Sequence, residues 1–204
     1  MKGFFALFSN SAKELKSIRT LTTSGLLMAI AIVLRSVAIQ ITPDLRISFA
    51  FLAIAMIGML FGPVVGGMAG VGTDFIGFLF DKTGNAYYFP LSLVAILSGV
   101  LYGIFLYRKN VGATKFVVLV GISRVIVVLV CNLCLNSYLI YTGFINKNFE
   151  LFSSDGWNSF FTWLLASQRI TKNVIQLPFD VVLMCILLPI AYFAFKRVRK
   201  QYAR

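Results

Sequence analysis

Few residues in this sequence can do chemistry, because the stretches between them are apolar. Asp74 is the single acid at the centre of a long apolar stretch from Leu45 to Pro90, ahead of the polar turn from Asp81 to Asn85, and Arg124 lies at a similar depth in a later run. A charge at membrane depth costs several kcal/mol on most scales and persists when it is paired or used. Asp74 and Arg124 are therefore expected to meet, as an ion pair that knits the protein or as part of a ligand site. A second set of cations, Arg35, Arg46, Arg169 and Lys172, stands at the ends of apolar runs beside loops that carry Tyr87, Tyr88, Phe89 and the segment around Trp157. An arginine fork holds a carboxylate in two hydrogen bonds, a lysine adds a point charge, and aromatic faces stack on a conjugated ring. Cations under an aromatic lid suit a flat anionic ligand. Each cation taken singly also fits a side chain that snorkels to lipid headgroups, and an aromatic belt needs no ligand. Lys172, Asn173 and Gln176 are harder to explain that way, being three polar groups within about one turn of an apolar helix.

The elements that must position these residues are membrane spans. Of 204 residues, 59% are hydrophobic and only 13% charged, which excludes an ordinary soluble domain. The expected fold is an all-α integral membrane protein, one domain over residues 1–204, with six transmembrane helices and both termini cytoplasmic. Residues 1–20 form a surface-lying amphipathic segment on which Phe4, Phe8, Leu15 and Ile18 share a face opposite Lys13 and Lys16. Residues 21–195 form the six-helix bundle and residues 196–204 a basic tail. The spans are Leu21 to Ile39, Leu45 to Phe61, Val64 to Phe80, Pro90 to Tyr107, Thr114 to Tyr141 and Ile170 to Phe195. The second and third make a hairpin, because an unbroken helix from Leu45 to Phe80 would overshoot a bilayer core of about 30 Å at about 1.5 Å per residue.

Gly62, Gly66, Gly70 and Gly77, with Thr73, lie along nearly one stripe and admit a close neighbour. Arg124, Asn132 and Asn136 share a broad face of the fifth span, and Pro178 interrupts the sixth, which also carries Asp180. Ser159 to Ala166 is expected as a short helix at the outer interface, anchored by tryptophan.

The net charge of +12 reports orientation rather than nucleic acid. Lys2, Lys13, Lys16 and Arg19, then Arg108, Lys109 and Lys115, then the five cations of the C-terminus all fall on one side of six spans. Cys131, Cys134 and Cys185 lie inside apolar spans without the partners of a zinc site, and are expected as buried thiols with no metal. There is no histidine and no phosphate-binding G-x-x-x-x-G-K-[ST] loop. The run from Gly70 to Asp74 bears only a surface likeness to an intramembrane aspartyl protease, because Thr73 separates the glycine from the acid. An enzyme is thus the weakest reading, no cofactor is expected, and the lack of inverted halves argues against a stand-alone secondary transporter.

The chain resembles the substrate-binding S components of energy-coupling factor vitamin transporters, most closely their folate-specific branch. The resemblance rests on the first span from Leu21 to Arg35, on Leu45-Arg-Ile-Ser-Phe49, on Phe61-Gly-Pro-Val-Val-Gly66, on Asp74-Phe-Ile-Gly77, and on Tyr88-Phe-Pro90 followed by Ser98-Gly-Val-Leu-Tyr-Gly103. It implies a non-catalytic subunit of a bacterial cell membrane that captures folate at the outer face. Such a subunit docks on a transmembrane T component driven by two ATPase subunits. The family's Ala-x-x-x-Ala docking motif falls on Gly25 and Ala29, the first a departure that keeps the surface flat. For folate, Arg35, Arg169 and Lys172 are candidates for the glutamate carboxylates; Asn132, Gln176 and Asp74 for the pterin edge; Tyr88 and Phe89 for stacking. An S component for another vitamin, or a six-span structural protein without a small-molecule ligand, are the alternatives.

Overall fold

Residue Gly62 makes a tight turn between two helices, and much of the architecture follows from it. Its φ of +92° is open to glycine and strained for other residues, and Pro63 then starts the next helix at a position whose N–H needs no partner. In the computed structural model, which describes residues 2–37, 39–40, 46–80, 87–107, 112–145, 154–167 and 169–201, helix α3 (Ala50–Phe61) ends there and α4 (Pro63–Leu79) begins. The expected hairpin is present. At 12 residues, however, α3 is shorter than the predicted second span, because Arg46–Ile47 (β2) leaves the helix to pair antiparallel with Ile39–Gln40 (β1).

Before the hairpin come α1 (Lys2–Glu14) and α2 (Ile18–Ser36). After it, a 3-10 turn at Phe89–Leu91 leads into α5 (Ser92–Leu106). Helix α6 (Ala113–Val127) continues through a π-wound segment (Val128–Asn136), the single turn α7 (Ser137–Ile140) and a second π-wound segment (Tyr141–Ile145). Helix α8 (Ser154–Ala166) is amphipathic, and α9 (Arg169–Gln201) runs for 33 residues with Pro178 and Pro189 inside it. Among the described residues four stretches are long and apolar enough to cross a membrane: Ile18–Ser36, Phe89–Leu106, Thr114–Ile145 and Arg169–Arg197. Helices α3 and α4 are apolar but shorter.

Glycine sets how closely α4 and α5 pack. A Cβ added to Gly66 would lie 2.6 Å from the Gly99 carbonyl oxygen, and one added to Gly99 would collide with the Gly66 carbonyl. The predicted glycine stripe therefore divides among three jobs. Gly66 and Gly70 admit α5, Gly62 makes the turn, and Gly77 lies under the Arg35 side chain. The main core joins α3, α5, α6 and α9 through Ala55, Met59, Leu106, Phe116, Val120, Met184 and Leu188. Apolar side chains such as Leu26, Val33, Phe179, Val182, Ile186 and Ile190 cover the outside of the bundle, as a lipid environment favours.

Helix α1 does more than lie on a surface. Ser11 is fully buried at the hairpin turn, where its hydroxyl donates to the Phe61 carbonyl at 2.8 Å and accepts from the Val64 amide at 3.0 Å. One side chain thus serves both the last carbonyls of α3 and the first amides of α4, which have no partners within their own helices. Leu15 packs on the cluster of Ile57, Phe61, Val65 and Ala69, whereas Ile18 belongs to α2 and is 81% exposed, so the predicted apolar face of residues 1–20 is split between two helices. The cysteines also depart from expectation: Cys131 is buried, Cys185 half-buried, and Cys134 exposed on the outer side of its helix.

Candidate functional site

At the end of the bundle away from the hairpin turn, the helices part around a cavity of about 650 Å³. Its wall is built by the start of α3 (Ser48, Phe51), by Asp74 of α4, by α5 from Leu91 to Tyr102, by the π-wound continuation of α6, and by the first two turns of α9. The π winding belongs to the site itself. It spans Asn132 and Asn136 and, with Arg124 one element earlier, keeps all three on the cavity wall.

Two ion pairs organise the interior, and they are not the expected one. Asp74 takes its cation from α2: Arg35 Nη1 donates to Asp74 Oδ1 at 3.1 Å. The other carboxylate oxygen lies 2.9 Å from the Ser92 hydroxyl and 3.2 Å from the Tyr87 hydroxyl, which also touch each other; two hydroxyl protons serve this triad, so at least one is donated to Asp74. Arg124 pairs with Asp180 of α9, and its Nη1 donates to the Tyr102 hydroxyl at 2.8 Å. Its guanidinium carbon lies 3.8 Å from the centre of the Phe51 ring. The depth argument for Asp74 with Arg124 fails because depth leaves two acids eligible, and lateral packing decides between them. Helix α6 packs on α9, whereas α4 packs on α2 and α5.

The rim is polar. Arg169, Lys172, Asn173 and Gln176, on successive turns of α9, line the cavity together with Ser167 and Thr171. Arg169 also lies 5.2 Å over the ring of Trp163, and Asn173 donates to the Arg169 carbonyl at 2.8 Å. Of the residues singled out from the sequence, Asp74, Asn132, Arg169, Lys172 and Gln176 all reach the cavity. Arg35 stands behind Asp74. Tyr88 stacks edge-on against Phe144 with ring centres 5.0 Å apart, Phe89 is 68% exposed, and neither is among the residues that line the cavity. The turn at Phe89–Leu91 that starts α5 directs Phe89 outward. The cation Arg46 has no described side chain; Lys82, Lys147 and the turn from Asp81 to Asn85 lie outside the described residues.

The aromatic residues of α8 are not among those that line the cavity. Trp157 stacks on Tyr138, while Phe160 and Trp163 lie against Tyr141. The sequence reading missed Tyr102, Phe51 and Ser92 as parts of the site, and it noted Asp180 without a role. The signal for Asp180 was present: among seven acidic residues, only Asp74 and Asp180 fall within apolar helices, and each needs a cation. No group of three or more His, Cys, Asp or Glu side chains comes together among the described residues.

A cavity of this size, closed below by a neutralised ion pair and ringed above by cations and amides, is built to hold a small molecule. A family model described as "ECF transporter, substrate-specific component" matches residues 19–188. The chain belongs to that family. This is the family that the residues of the first span and the hairpin resembled, and it makes the chain a multi-pass membrane protein whose role is to bind a substrate for transport. This substrate-specific component is similar to the folate transporter FolT of Clostridium novyi (strain NT), with 35% identity over 119 residues, 58% of this chain and 68% of the relative. It is 32% identical over 103 residues to an uncharacterized protein of Mycoplasma genitalium, covering 50% of this chain and 36% of that protein. Among solved structures it is similar to a crystal structure of FolT bound with folic acid, with a TM-score of 0.61 and 28% identity over 82% of this chain and 91% of the other.

Proposed function

We propose that this substrate-specific component binds folate in the cavity of α3, α5, α6 and α9 and delivers it to an ATP-driven importer of the bacterial cell membrane. The observation that carries this reading is the cavity itself. Its volume of about 650 Å³ falls within the usual range of roughly 300–1,000 Å³ for small-molecule sites. Its charges are graded, with Arg169 and Lys172 near the start of α9 and an internally neutralised Arg124 at depth. A ligand with a flat, uncharged ring at one end and two carboxylates at the other matches that gradient. It enters ring first, with its carboxylates held by Lys172 and Arg169 and its middle passing Asn132, Asn136 and Gln176.

In this account α3 and α4 act as a re-entering pair that completes six spans, with both termini and the hairpin turn on the cytoplasmic side beside the basic residues. Energy comes from outside the chain, through a T component and two ATPase subunits. Gly25 and Ala29, exposed on α2 with nothing near a Cβ placed at Gly25, offer the flat face on which the T component docks.

Charge reversal tests the ligand reading. Lys172→Glu, measured by titration calorimetry, is expected to weaken folate binding at least about a hundredfold, the scale of breaking a charge-assisted contact and adding a repulsion. The yield and melting temperature of the protein stay near wild type. An equal fall in binding and in folded protein makes Lys172 a structural residue and removes this account of the site.

A further inference from the structure

Arg124 is the most deeply placed cation of the cavity wall, 4% exposed, and its hydrogen bonding is incomplete. A guanidinium carries five N–H donors. The bonds to Tyr102 and Asp180 engage one at Nη1 and one at Nη2, while Nε has no partner among the described residues, and neither has Asp180 Oδ1. Phe51 covers one face of the guanidinium plane and fixes its orientation. Asp180 itself is 1% exposed and stands behind Arg124 rather than on the cavity wall. The other deep acid, Asp74, already accepts from Arg35 on one carboxylate oxygen and has the Ser92 and Tyr87 hydroxyls packed against the other, which leaves it little room for a ligand.

We propose that Arg124 reads the ring end of the ligand through its remaining N–H donors, and that Asp180 and Tyr102 are positioning residues that hold this guanidinium neutralised and oriented. The inference rests on the folate reading and specifies which residues select the ring. Because Asp180 already balances the charge, a carboxylate at the floor gains little from Arg124 and loses its hydration. A ring carbonyl or ring nitrogen gains a charge-assisted hydrogen bond without that loss. The floor therefore selects an uncharged, acceptor-bearing heterocycle, while the rim selects the anionic tail. Ring recognition thereby moves from Asp74 to Arg124.

The test compares folate with p-aminobenzoyl-L-glutamate, which keeps the tail and lacks the fused ring, on the detergent-purified full chain, the fragment being measured by competition against folate. Tyr102→Phe removes one hydroxyl and leaves the Arg124–Asp180 pair in place, and Arg124→Lys keeps the charge and loses the fork; melting curves establish that each variant is folded before its affinity is read. In both variants folate affinity is expected to fall about tenfold or more, the fold-change of one hydrogen bond to a charged group. The affinity of the tail fragment stays within about twofold of wild type, because nothing at the floor touches it. A fall of the same factor for folate and for the fragment, or unchanged folate binding by Tyr102→Phe and Arg124→Lys, overturns the assignment of Arg124 while leaving the folate reading intact. Failure of the wild-type chain to bind folate at all overturns both.

Discussion

Ser11 shows how much one hydroxyl can contribute when both of its hydrogen-bonding directions are used. It bridges the end of α3 and the start of α4 at zero exposure, so Ser11→Ala leaves a buried carbonyl and a buried amide without that partner. The expected cost is about 1–3 kcal/mol, read as a lower melting temperature. Folate affinity should not change, since the cavity lies at the other end of the bundle; a matching loss of affinity would show that the hairpin turn and the cavity are coupled. The polar residues of the cavity were legible in the sequence because bilayer-depth polar groups are few and need a purpose. Their pairing was not. Arg35 and Arg124 each had to choose between Asp74 and Asp180, and that choice depends on which helices are lateral neighbours. Ser11 was hidden for a related reason, since a serine in a short amphipathic helix carries no sign that it will be buried under a turn some 50 residues later.

At the scale of elements, composition and spacing gave the hairpin break and most of the long helices, because apolar length and Gly-Pro punctuation are local signals. Two features escaped. The π winding at Val128–Asn136 has no local cue in an apolar run, yet it spans two amides of the cavity wall. The shortening of α3 depends on Ile39–Gln40 pairing with Arg46–Ile47, a contact across a loop. The α4–α5 contact supplies the sharpest prediction. Gly99→Leu places a side chain against the α4 backbone, which cannot recede, so a loss of about 3 kcal/mol or more is expected, the upper end of overpacking. A Cβ at Gly25 meets nothing within 4 Å, on an exposed face of α2, so Gly25→Leu should express and melt like wild type. Size-exclusion profiles and melting curves of the two variants decide it; equal behaviour would mean that the glycine contact between α4 and α5 does not hold the bundle together.

Under the proposed function the whole molecule has two working surfaces on different elements. The cavity belongs to α3, α4, α5, α6 with its π-wound continuation, and α9, whereas the small-residue face belongs to α2 and is exposed. Tryptophan at Gly25 or Ala29 should therefore abolish co-purification with a co-expressed T component and leave folate binding by the isolated chain unchanged. Loss of binding in the isolated chain would place α2 in the ligand site instead. Asp74 is the link between the two surfaces, lining the cavity while holding the far end of α2 through Arg35. The central claim remains that the cavity holds folate. Titration calorimetry of the detergent-purified chain with folate, with thiamine, riboflavin and pantothenate as controls, tests it most directly. One-to-one binding of folate alone, with a Kd below about 1 μM, the affinity of roughly −8 kcal/mol that scavenging a dilute vitamin requires, is the predicted result. A folded chain that binds a control vitamin in place of folate, or binds none of them, would contradict it.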